Sequence, residues 1–245
     1  MEDAGHAAPA PTSAVVRYKV GCARLGVNSD GRVSRRLGLE QSEASRDQPI
    51  RLRDLPLELR WQPPPERWDY AGGILTVRAA AATDLFVDPS GTAAVRSAPR
   101  LLGWVAGDFL LGARVTVDFA ARFDAGALLL YLDEDHWAKL CFEYAPRNEP
   151  TVVSVVTRGL SDDCNSYPVE GNSTWLRVAR RGSGCAFHTS SDGETWKLVR
   201  HFALRQADEI AVGFLAQSPE GDGCTARFDS IRHRPESLPD LRNGD

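Results

Sequence analysis

From Gly73 to Ile231 the chain alternates apolar and polar residues in short runs that end at glycine-bearing turns. Successive side chains of a strand point to opposite faces, so a period of two predicts half-buried β-strands. Gly73-Ile-Leu-Thr-Val-Arg-Ala79 alternates, and Ala113, Val115, Val117 and Phe119 fall on one inward face. Trp175-Leu-Arg-Val-Ala-Arg180 and Cys185-Ala-Phe-His-Thr189 are joined by Arg181-Gly-Ser-Gly184. Ser191-Asp-Gly193 turns into Thr195-Trp-Lys-Leu-Val199, and Ile210–Ala216 and Thr225–Ile231 close the set. No amphipathic helix longer than two turns is convincing. Short strands at even spacing predict an all-β sandwich or barrel, with at least about ten strands and under roughly 10% helix.

One ladder breaks the simple pattern. Gly126-Ala-Leu-Leu-Leu-Tyr-Leu132 leads through Asp133-Glu-Asp-His136 into Trp137-Ala-Lys-Leu-Cys-Phe-Glu-Tyr144. Ala138, Leu140, Phe142 and Tyr144 share a core face. The opposite face holds Trp137, Lys139, Cys141 and Glu143, a mixture that reads as the floor of a groove. Lys139 and Glu143 are four residues apart, hence about 13 Å along the strand. They cannot pair directly, so each needs a partner from a neighbouring strand or a ligand. Thr157, Ser161 and Asp162 are the natural partners if the strands pair through Pro146–Pro150.

Composition adds limits. The chain has 245 residues, 42% of them hydrophobic, enough for one large β domain or two small ones. A formal charge of −4 gives no electrostatic reason to expect nucleic acid or an anionic membrane as partner. Lysine occurs only at 19, 139 and 197, so Lys139 stands out against an arginine-rich background. The five cysteines (Cys22, Cys141, Cys164, Cys185, Cys224) are widely spaced without C-x-x-C, which argues against a zinc site. The acidic Met1-Glu-Asp-Ala-Gly-His6 lacks an apolar leader, so a cytoplasmic location with reduced thiols is expected, a disulfide through Cys164 being the alternative. Residues 1–12 are rich in Ala and Pro and read as disordered. A short hairpin fits Val15–Val33, and residues 34–54 read as a linker. The expected organisation is an N-terminal extension over 1–54, a sandwich over 55–235 and a tail over 236–245.

The order of several segments is familiar: Thr83-Asp-Leu-Phe86, Gly107-Asp-Phe109, Asp124-Ala-Gly126, His136-Trp-Ala-Lys139, Glu143-Tyr144, Ser154-Val-Val-Thr157, Ser161-Asp162, Trp175-Leu-Arg177, Ser191-Asp-Gly193 and Val212-Gly213. In sequence and spacing they resemble the regulation-of-enolase-like family of domains of unknown function, over about residues 55–233. The resemblance implies a concanavalin A-like jelly-roll of two antiparallel sheets, and a concave sheet on which a ligand would lie. Two departures fall on that sheet. Asp163-Cys164 follows Ser-Asp where the family usually has tryptophan, and Thr83-Asp-Leu-Phe86 replaces Thr-Asp-Phe-Trp.

Candidate chemistry concentrates on the same face. Lys139, Glu143, Thr157, Ser161 and Asp162 would line it, with Trp137 and Phe86 as walls. Glu143, Lys139 and Asp84 are the acid–base candidates. The competing reading is a buried ion-pair network that fixes the sheet. Asp133, Glu134 and Asp135 read as a solvated turn rather than a calcium site. His136 and His188 read as hydrogen-bonded structural residues. Cys141 beside Lys139 is a weak nucleophile candidate. The motifs G-x-S-x-G, the phosphate loop, G-x-G-x-x-G and the paired carboxylates E-x-D-x-x-E are absent. No cofactor or metal is expected. The expected function is a non-catalytic module for a carbohydrate or polyhydroxylated metabolite. The alternatives are an enzyme acting on such a compound at the same face, and a regulatory partner of a metabolic enzyme.

Overall fold

The computed structural model describes residues 48–244; the hairpin expected at 15–33, Cys22 and the first part of the extension lie outside them. The described residues form seventeen strands and no helix. Numbered in chain order, one sheet has eight strands: β1 (Ile50–Leu52), β2 (Leu55–Trp61), β7 (Arg100–Ala106), β16 (Glu209–Gln217), β9 (Ala125–Asp133), β10 (His136–Tyr144), β11 (Pro150–Arg158) and β12 (Leu160–Pro168). The second has seven: β15 (Lys197–Ala203), β14 (Gly184–Ser190), β13 (Ser173–Arg181), β8 (Phe109–Asp118), β17 (Cys224–Arg234), β4 (Ile74–Ala79) and β3 (Arg67–Ala71). A ribbon of β5 (Leu85–Val87) and β6 (Ala94–Arg96) stands apart. All pairings are antiparallel, so the chain is a two-sheet β-sandwich with an additional ribbon.

The main core lies between the sheets. Leu128, Leu140, Phe142 and Phe214 from the eight-stranded sheet meet Val115, Val178, Phe187 and Phe228 from the other, all without exposed surface. Each such side chain contributes about 1.5–3 kcal/mol by leaving water. The inward residues of β8 are the expected ones: Ala113, Val115 and Val117 are buried, and Phe119 packs on the rings of Phe142 and Tyr144. Gly126 faces the other sheet at close range. A β-carbon there would come within 2.8 Å of Val115 and 2.9 Å of Ala226, so the turn Asp124-Ala-Gly126 needs its glycine for packing.

Two features fall outside the alternation. Strand β1 lies within the stretch read as extension, yet pairs with β2 at the sheet edge. The C-terminal segment folds back onto the seven-stranded sheet, where Leu238 and Leu241 are buried against Leu110, Ala179 and Ala186. There the Leu241 carbonyl lies 2.8 Å from His188 Nε2, and Arg177 donates to the Gly244 carbonyl. Burial and the Arg177 charge hold the His188 imidazole down at about 4, so it is neutral at pH 7.

Candidate functional site

Strand β10 sets the site. It pairs with β9 and β11 throughout its length, which fixes Trp137, Lys139, Cys141 and Glu143 on the outward face of the eight-stranded sheet. That face is not open, and this corrects the expected groove. The connection between β4 and β7 crosses it and lays Leu85, Val87 and Ala98 onto Ala127, Leu129, Trp137 and Leu215. A second hydrophobic cluster results, outside the main core. The physical reason is that the face presents Ala127, Leu129, Val153 and Val155 between its polar groups, too much apolar surface to leave in water.

Trp137 therefore has no exposed surface and is a packed residue, not an open stacking wall. Phe86 belongs to the covering ribbon and is partly buried against the same cluster. Cys141 is fully buried, and burial pushes its thiol well above the ordinary range despite the nearby Lys139. It is not an activated nucleophile.

Lys139 is 1% exposed. Its Nζ lies 3.2 Å from Asp84 Oδ1, carried by the covering segment, and 2.7 Å from Gln217 Oε1 at the end of β16. Gln217 is oriented by donating its Nε2 to the Phe123 carbonyl, and Asp84 by accepting from the Leu85 amide. Burial works most strongly against the lysine's charge, but the acidic groups around it, Asp84 first and then Cys141 and Glu143, together hold the ammonium above its usual value. Lys139 is a charged, internally paired residue. Gln217 was not legible in the sequence as a partner, because it comes from a strand 78 residues away.

Glu143 stands differently. It is 7% exposed, and among the described residues its carboxyl accepts no hydrogen bond and makes no ion pair. Burial pushes it up to about 8; Lys139 opposes the shift, and the carboxylates of Asp84 and Asp163 add to it. Glu143 is thus a protonated acid at neutral pH, with an O–H to donate and a carbonyl oxygen to accept.

The Thr157 and Ser161 hydroxyls lie 2.9 Å apart, and Ser161 Oγ accepts from the Val87 amide. They fasten the covering ribbon to the sheet. Asp162 is a correction. Its neighbour Ser161 pairs with Thr157, so Asp162, one residue on, points to the opposite face. There it is exposed and clasps Arg200 of the other sheet at 3.0 Å. Asp163 takes its place on the Lys139 face, opposite Val155. The acidic turn is solvent-exposed at Glu134 and Asp135 and carries surface ion pairs, Asp133 with His136 and Arg205, Glu134 with Arg96 and Arg100.

The arrangement is a roofed sheet face with a buried Asp84–Lys139–Gln217 network, an acid without a protein hydrogen-bond partner, Glu143, and an exposed Asp163 in the row of Lys139. Among the described residues no cluster of three or more His, Cys, Asp or Glu side chains is placed to hold a metal ion, and no helix is long and apolar enough to cross a membrane. Cys141, Cys164, Cys185 and Cys224 are free thiols.

Comparison with known proteins agrees with this architecture. The family model described as "Protein of unknown function (DUF1349)" matches residues 61–236. Regulation of enolase protein 1 from Saccharomyces cerevisiae (strain ATCC 204508 / S288c) is 30% identical over 121 residues, covering 49% of this chain. The match spans 61% of the length of that curated relative. A crystal structure of a functionally unknown protein from Saccharomyces cerevisiae superposes with a TM-score of 0.68 at 25% identity, covering 72% of this chain and 95% of that one. A mutant of the GH43 protein BlXynB from Bacillus licheniformis shares the fold, with a TM-score of 0.60 at 15% identity over 88% of this chain and 46% of its own.

Proposed function

The chain belongs to the DUF1349 family, and from that premise and the site's geometry we propose that it is a non-catalytic β-sandwich module that binds a polyhydroxylated ligand at the rim of the covered sheet face. The observation that carries this reading is Glu143. A carboxyl that is 7% exposed, protonated near neutrality and without a protein hydrogen-bond partner is costly to maintain for structure alone. It can donate to one ligand hydroxyl and accept from another, while Asp163 at the edge accepts from a third. The internal pairing of Lys139 with Asp84 and Gln217 favours binding over acid–base catalysis, because it commits the two other titratable groups to each other.

The test is titration calorimetry with neutral saccharides and sugar alcohols selected on a glycan array. Glu143→Leu, which removes both the donor and the acceptor, should keep the fold and weaken binding at least about tenfold. Equal affinity in both proteins would move the site elsewhere.

A second reading has its own observation. The curated relative is named for regulation of enolase, and a roofed sheet face suits a module that acts through its surface on a metabolic enzyme in the cytoplasm. Enolase kinetics with and without the purified protein test it; an unchanged rate at saturating protein would dismiss it.

A further inference from the structure

On the outer face of the seven-stranded sheet, β8, β13 and β17 enclose a cavity of about 140 Å³ that the site above does not use. Its floor is Gly112. The register places this residue between Arg177 on β13 and Arg232 on β17, so the missing side chain leaves a gap between two arginines. Trp175 and Trp196 form the walls. The Arg177 guanidinium lies 4.1 Å from the centre of the Trp196 ring, and that of Arg232 lies 5.9 Å from Trp175. Gly193 presses on Trp175 so closely that a β-carbon there would come within 2.8 Å of the ring, which fixes the indole in place.

The backbone is adapted at the same point. Asp229 pairs with Arg114 and Arg232 with Gly112, three residue steps on β17 against two on β8. The extra residue forms a bulge, with Ser230 at φ 50°. A bulge re-aims the side chains that follow it, and here those are Arg232 and Arg234, both facing the cavity.

Charge completes the picture. No acidic residue lines the cavity, although the chain as a whole carries −4. Other arginines of this sheet are matched by carboxylates, Arg114 by Asp229 and Arg227 by Asp118, and at the cavity's edge Arg234 has Glu236 at 3.4 Å, an exposed pair that water screens. Among the described residues Arg232 makes no ion pair; its contact is the Trp175 ring. A guanidinium that stacks on an indole keeps its donor edge available for an anion. The volume is close to that of the cavity of about 150 Å³ that accommodates a benzene ring.

We propose that this cavity binds a small organic anion that carries one ring and one phosphate or carboxylate. The ring lies between Trp175 and Trp196, and the anionic group meets Arg232 and Arg234. The site is separate from the rim of the eight-stranded sheet, so neither reading depends on the other.

The experiment is titration of the full chain, followed by calorimetry and tryptophan fluorescence. Phenyl phosphate and a hexose phosphate distinguish an aromatic from a sugar ring. Inorganic phosphate supplies the charge without a ring, and benzamidine the ring with the opposite charge. At least one ring-bearing phosphate should bind at millimolar concentration and change the tryptophan emission. Inorganic phosphate should bind at least about tenfold more weakly, and benzamidine not at all. Gly112→Val fills the floor, and should abolish binding. The nearest atoms to a β-carbon at 112 are 3.5 Å away or more, so the fold accommodates it. Arg232→Ala, at an exposed position, should weaken binding at least about tenfold with an unchanged melting temperature. Glu143→Gln should leave it unaltered. Absence of binding by both ring-bearing phosphates overturns the proposal. So does equal binding by the native protein and Arg232→Ala, or inorganic phosphate binding as tightly as the ring-bearing probes.

Discussion

On the eight-stranded sheet the outward row Trp137, Lys139, Cys141 and Glu143 lies under the ribbon carried by residues 83–98; on the seven-stranded sheet the C-terminal segment lies over Leu110, Ala179, Ala186 and His188, while Arg114 and Arg232 stay exposed. The two faces handle cations in opposite ways. Under the ribbon, Lys139 is dehydrated and must be given a carboxylate, which the cover itself supplies as Asp84. On the open sheet, Arg232 stays hydrated and needs no carboxylate, so it can rest on an indole. The cover turns the Lys139 charge into structure, and the open face leaves Arg232 available to a ligand.

The strongest way to break this contrast is to remove the cover's charge. Asp84→Ala strands a buried lysine and should destabilise the protein by about 3–5 kcal/mol in urea unfolding, whereas Arg232→Ala on the open face should cost less than about 0.5 kcal/mol. Lys139→Met combined with Asp84→Ala should recover most of the loss, since a buried pair replaced by apolar groups is often neutral. Removing the cover's packing comes next. Leu85→Ala deletes a side chain with no exposed surface and should cost about 2–4 kcal/mol. It should also make Trp137 accessible to acrylamide, which a purely local cavity would not do.

Proton linkage sharpens the comparison further. The folded Glu143 carboxyl is raised from 4.5 to about 8, so its contribution to stability is complete below pH 4.5 and is lost as pH rises through about 8. Glu143→Gln stays neutral, so above pH 8 it should be more stable than the native protein by about 1–3 kcal/mol, with the two converging at acid pH. Asp84 remains the counter-charge of Lys139 in that variant, so no loss from a stranded lysine is expected. The smallest effect belongs to the other face. His188 is lowered from 6.5 to about 4, so its contribution is complete above pH 6.5 and is lost as pH falls toward 4. That pH dependence should disappear in His188→Gln. Amide exchange in residues 238–244 measured across the same interval reports whether the C-terminal segment releases with it.

Much of this was legible residue by residue. The face assignments of β8 and β10 follow from parity, whereas the pairing of Thr157 with Ser161 comes from the β11–β12 register. Ser161 and Asp162 are adjacent on β12, so both cannot line one face; a single step past Ser161 turns Asp162 to the other side. The cover had a signal that was passed over. Ala127-Leu-Leu-Leu-Tyr131 does not alternate, and an uninterrupted apolar run is what a strand buried on both sides requires. By contrast β8 alternates from Gly112 onward and is half open.

By itself the sequence determined the all-β class, the strands, the inward faces and the presence of an ionic row on β10, because period and turn chemistry are local properties of the chain. Only the tertiary structure decided what that row does. Asp84 and Gln217 lie 55 and 78 residues from Lys139, and nothing local encodes their convergence. The same holds for the cavity beside Gly112, where three strands and a bulge bring Trp175, Trp196 and Arg232 together. Burial sets the protonation of Glu143 and the pairing of Lys139, and burial is a property of the packed fold.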